Sequence, residues 1–158
     1  MRSSSAVHSL VAAALTLAAG CNDAPTPGSR ADPRNASKLA LGAKVYAENC
    51  AVCHGVRLEG QPNWRERLPN GRMPAPPHDE EGHTWHHTDE VLFGITKYGL
   101  APPYAPPGYA SDMPAFGPKL SDEEIWAVLS FIESHWKTGQ LLEQRNEMIR
   151  NAGKPTRP

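Results

Sequence analysis

The chain has 158 residues, of which 39% are apolar and 21% charged, with 16 prolines and 13 glycines. That length favours one domain over two, and a segment of about 100 residues with so few apolar side chains gains from an added apolar body at its centre. A formal net charge of −1 and the lack of any basic run exclude a phosphate-binding surface, and with it nucleic acid as a partner.

Residues 1–20 read as a signal peptide: Arg2 supplies the positive charge, and residues 6–19 form a mostly apolar run broken by His8, Ser9 and Thr16. The run is too short to span a bilayer, which takes about 20 apolar residues. Leu17-Ala18-Ala19-Gly20-Cys21 resembles a bacterial lipoprotein processing site, although a larger aliphatic residue is more usual where Ala18 stands. The resemblance implies lipidation of Cys21 and a stable membrane anchor. Ordinary cleavage, leaving Cys21 as a stray thiol, is the alternative. Pro25, Pro27, Gly28 and Pro33 then mark a flexible tether with little to pack, so residues 21–36 are expected to be anchor and tether.

A first helix is expected over residues 37–49, with Ser37 as its cap and Leu39, Gly42, Val45, Tyr46 and Asn49 near one face. Directly after it comes Cys50-Ala51-Val52-Cys53-His54, the spacing that attaches haem covalently. Two thiols separated by two residues can add to the two vinyl groups on one porphyrin edge, and the next residue brings an imidazole to the iron. A redox C-x-x-C would sit in a βαβ setting, which is lacking, and a zinc site would want a second ligand pair. With Cys50 and Cys53 on haem and Cys21 lipidated, all three cysteines have roles and no disulfide is required.

Residues 63–87 hold Pro69, Pro74, Pro76 and Pro77, then His78, His83, His86 and His87 around Trp85. The spacing of His83, His86 and His87 would converge on a helix face, as a copper or other metal site requires. However, Thr88-Asp89-Glu90 caps a second helix that begins only after them and runs to about Tyr98, where Gly99 and then Pro102 and Pro103 stop it. The histidines are therefore expected to make hydrogen bonds near the haem edge. A proline-dense loop follows. Ser121-Asp122-Glu123-Glu124 is a capping box, and Ile125, Leu129, Ile132 and Trp136 repeat behind it at helical spacing. Residues 137–158 read as a polar tail with room for a short helix and a disordered tip.

Over residues 37–136 the chain resembles a class I cytochrome c, the monohaem kind with histidine and methionine axial ligands. The resemblance implies an all-α fold of three to four helices around one covalent haem c, with long Pro-rich loops. In that family a glycine on the first helix lets the last helix cross closely, as Gly42 and Tyr46 suggest here. The loop Ser111-Asp112-Met113-Pro114 occupies the place of the axial methionine, so Met113 joins His54 as the expected iron ligand, ahead of Met73 or a histidine. Pro62 is carried over as the residue whose carbonyl holds the ligating imidazole. The implied function is that of a non-enzymatic one-electron carrier at the periplasmic face of a bacterial membrane, serving a dehydrogenase or oxidase. A haem enzyme or sensor with an open sixth site, and a copper-handling protein, are the alternatives.

Overall fold

The computed structural model describes residues 31–137 and 139–151, so the expected signal peptide, Cys21 and most of the tether lie outside the described residues. Among those described there is no strand: the elements are α1 (Ala36–Asn49), α2 (Ala51–His54), a 3-10 turn (Thr84–His86), α3 (Asp89–Tyr98), α4 (Asp122–Glu133) and α5 (Gly139–Asn151). The fold is all-α, as expected, with α5 added behind the expected helices. No described helix is long and apolar enough to cross a membrane.

Local chemistry explains where the helices start. Asn35, two residues ahead of the expected Ser37, caps α1 by accepting from the Lys38 N–H at 3.0 Å. Thr88 accepts from Val91 N–H to open α3, with Asp89 and Glu90 in its positive first turn. At α4 both halves of the capping box form: Ser121 Oγ accepts from Glu124 N–H, and the Glu124 carboxylate accepts from Ser121 N–H at 2.8 Å.

α1 and α4 form the centre of the fold. Val45 and Tyr46 of α1 and Ile125, Val128, Leu129 and Ile132 of α4 are buried in one cluster. A Cβ on Gly42 would lie 2.1 Å from the Ala127 carbonyl oxygen, so only glycine lets the two backbones approach this closely. The N-terminal end of the described chain lies against this pair too, with Asp32 N–H donating to Ser130 Oγ at 2.9 Å.

The C-terminal segment is less free than its polarity suggests. α5 turns Leu141 and Arg145, four residues apart, inward. The Arg145 guanidinium, 5% exposed, reaches Glu133 of α4 at 2.9 Å, Asp89 at the start of α3, and the carbonyls of Trp85 and His87 around the 3-10 turn. Burial, and then the neighbouring Asp89 carboxylate, push the Glu133 carboxyl up to about 8. One guanidinium thus ties three helices and the irregular segment together.

Candidate haem site

The helical register ends α1 at Asn49 and resumes in α2, which puts Cys50 at the junction and Cys53 and His54 on the following turn. Cys50 is half-buried and packs against the central cluster, whereas Cys53 is exposed. His54, on the same turn, is buried. The Tyr46 hydroxyl donates to the Gly55 carbonyl at 2.9 Å and so locks the end of α2 onto α1. Val52 and Val56 flank Cys53 and are 85% and 79% exposed, an open apolar face beside the two thiols.

The chemistry of this turn fits a haem better than a thiol redox centre. A reactive C-x-x-C needs a thiol held low. Here burial, and then Cys53, push the Cys50 thiol up to about 11, so it remains protonated. The imidazole is equally suited to its expected task. Burial lowers the pKa of His54 and keeps the ring neutral. Its Nδ1 lies 2.8 Å from the carbonyl oxygen of Pro76. An acceptor there places the proton on Nδ1 and leaves the Nε2 lone pair for a metal.

That carbonyl corrects the expectation for Pro62, which lies exposed in a turn. The reason is the path of the chain. Gln61 N–H donates to the Ala75 carbonyl at 2.9 Å, and Ala75 N–H donates back to Gln61 Oε1 at 2.9 Å. Residues 62–74 are therefore an excursion between two points that touch, and the carbonyl under the ring comes from the far side of it. Gly60, at φ +68°, permits this closure: a Cβ there would lie 2.4 Å from the Pro77 nitrogen. Gly60 N–H also donates to the His54 carbonyl at 2.8 Å.

His78 was not singled out as part of this site by its sequence context, yet its ring stacks on His54 with centroids 3.8 Å apart and planes 19° apart. Burial, then His54 and His83, hold its pKa well below the usual histidine value. The remaining histidines go elsewhere. His83 stacks on Trp64 and meets His87 edge-on, while His86 stacks on Trp85. Among the described residues no three His, Cys, Asp or Glu side chains are placed to hold a metal ion together. A cleft of about 500 Å³ between Trp85, His86 and the α5 residues Gln144, Glu147, Met148 and Asn151 shares no residue with the Cys50–His54 turn.

Met113 lies in the loop between α3 and α4 and packs, half-buried, against the same apolar cluster as Cys50 and Ala51. Its loop is tied down at two points: Met113 N–H donates to Ser111 Oγ at 3.0 Å, and the Arg72 guanidinium pairs with Asp112. On the other side of the loop, Phe116 N–H and Gly117 N–H donate to the Thr96 and Lys97 carbonyls of α3, each at 2.9 Å.

Comparison with known proteins points the same way. The cytochrome c subunit of gluconate 2-dehydrogenase from Pantoea cypripedii is 29% identical over 101 residues, 62% of this chain and 20% of the relative. The chain therefore spans about a fifth of that relative's length. No solved structure matches. The family model described as cytochrome c matches residues 39–136, which include the whole of α1 to α4 apart from the first turn of α1. With well over half of its length matched, from the Cys50–His54 turn through α4, the chain belongs to the cytochrome c family, whose members carry covalent haem c.

Proposed function

We propose that this protein is a one-electron carrier and not an enzyme, with one haem c held by Cys50, Cys53 and His54 and with Met113 as the sixth ligand. The observation that carries the proposal is the His54 imidazole: buried, neutral, tied through Nδ1 to Pro76, and on one turn with two cysteines. When bound, the haem supplies an iron that gains and loses a single electron. His54 holds it from one side at fixed orientation, because the Pro76 carbonyl and the buried setting restrict the ring. Met113, on a loop pinned at Ser111 and Asp112, supplies a thioether that favours the reduced state relative to a second nitrogen ligand. His54 and Met113 together would satisfy the iron with side chains and leave no position for a substrate.

The setting is the periplasmic face of a bacterial membrane, with Cys21 lipidated and the head group tethered to the surface. The partners are other redox proteins. Likeness to a dehydrogenase cytochrome subunit favours a membrane dehydrogenase as electron donor, with an oxidase as the acceptor. Two measurements test this reading. The purified chain should keep its haem through denaturing electrophoresis and acid–solvent extraction, and lose it when both Cys50 and Cys53 are replaced by alanine. A potentiometric titration should follow a one-electron Nernst curve. Extractable haem, or peroxide turnover with high-spin iron, would overturn the reading in favour of a haem enzyme. Cells should also yield the cytochrome in the membrane fraction, and Cys21→Ser should release it with an unchanged spectrum; wild type found wholly in the soluble periplasm would refute the anchor.

A further inference from the structure

The hydrogen bond from His54 to Pro76 determines which nitrogen carries the proton, but it leaves the plane of the ring loosely set, because acceptor geometry at a carbonyl is broad. A second constraint is present. The His78 ring lies face to face with His54 at 3.8 Å, a separation at which turning the His54 plane drives its edge into the neighbouring ring. Resting on the reading of His54 as an axial ligand, we propose that His78 is a positioning residue that sets the plane of the His54 imidazole about its bond to iron.

The surroundings of His78 support this role. Its backbone is fastened at both ends: His78 N–H donates to the Leu58 carbonyl at 2.8 Å, and its own carbonyl accepts from Trp136 Nε1 at 2.9 Å. The Tyr46 ring meets it at a steep angle, with centroids 6.0 Å apart. Pro76 and His78 are two residues apart in one segment, which the paired hydrogen bonds of Gln61 and Ala75 lock beneath His54. A single stretch of chain thus delivers both the carbonyl and the stacking face. The ring is also held there at a cost, since its buried Nδ1 finds no hydrogen-bond partner among the described residues. A polar atom left unsatisfied by its neighbours is consistent with a ring placed for its face.

The plane of a ligating imidazole, together with the orientation of the methionine thioether, sets the order and spread of the four ring-methyl proton resonances of a low-spin ferric haem protein. In the wild-type holoprotein, reduced and diamagnetic, cross-relaxation should connect the His54 ring protons, shifted far upfield by the porphyrin, to those of His78. His54 protons without that upfield shift would refute the ligand reading itself. Upfield-shifted His54 protons with no cross-peak to His78 would overturn the present inference alone. In the ferric form, His78→Phe keeps a flat face and should retain the wild-type order of methyl resonances. His78→Leu removes the face and should alter their order or compress their spread while haem remains attached and low-spin. Wild-type shifts in His78→Leu, or an equal disturbance in both variants, would overturn the proposal, whereas a purely structural role would lower stability and leave the shifts in place.

Discussion

The α1–α4 crossing and the irregular stretch from Gly55 to Thr88 hold the same turn by different means. The crossing is a continuous apolar contact between regular helices, closed by one glycine. The irregular stretch contributes few buried apolar side chains and is held by hydrogen bonds from residues far away in the chain: Trp136 to His78, and Arg145 to Trp85 and His87. Dispersed packing makes the first region robust to losing any one contact. The second depends on a few polar anchors, each of which leaves a buried group unpaired when removed. The His54 imidazole is oriented by the second region and only supported by the first.

Arg145→Met should break that second region hardest. It strands the Asp89 carboxylate, the Glu133 carboxyl and two carbonyls, at a cost of about 3–5 kcal/mol, to be read in denaturant unfolding of the haem-loaded protein. A loss below about 1 kcal/mol would show that α5 is an ornament and not an anchor. Gly42→Ala attacks the first region. Its Cβ would meet the Ala127 backbone, which cannot step aside without parting the helices, so about 1–3 kcal/mol should be lost.

These two sites also show what could be read in the sequence. Gly42, Tyr46, the Thr88 cap and the Ser121 capping box were legible because local periodicity and cap chemistry act within a few residues. Pro76 was not. Several prolines follow His54, and nothing local reveals that residues 62–74 leave and return, so the carbonyl was assigned to Pro62 on the wrong side of the excursion. Arg145 was hidden for a similar reason. On a helix that is mostly polar, one arginine among several charges does not advertise burial, which arises only because Asp89 and Glu133 come from two other helices. His78 stood in a cluster of four histidines, and only the fold separates it from the rest.

A smaller effect sharpens the comparison. Trp136→Phe keeps most of the buried ring but removes the donor to the His78 carbonyl, and should cost about 1–2 kcal/mol. It should also disturb the His54 environment, as a packing defect in the first region would not. A last effect, read against pH, comes from Glu133. Its folded pKa is raised above the ordinary carboxylate value, so the folded state retains a proton that the unfolded chain gives up. Stability should therefore be full below the ordinary carboxylate range, decline as pH rises through it, and level off above about 8. Glu133→Gln should flatten that decline. A stability that increases with pH over this window would contradict the assignment.

The central proposal is that His54 and Met113 would both hold the iron, and the near-infrared spectrum of the oxidised protein tests it most directly. The account predicts the weak band of a sulfur–iron(III) bond in wild type, its loss in Met113→Ala, and ready binding of cyanide by that variant. A high-spin wild-type spectrum, or a band that survives the replacement of Met113, would contradict it.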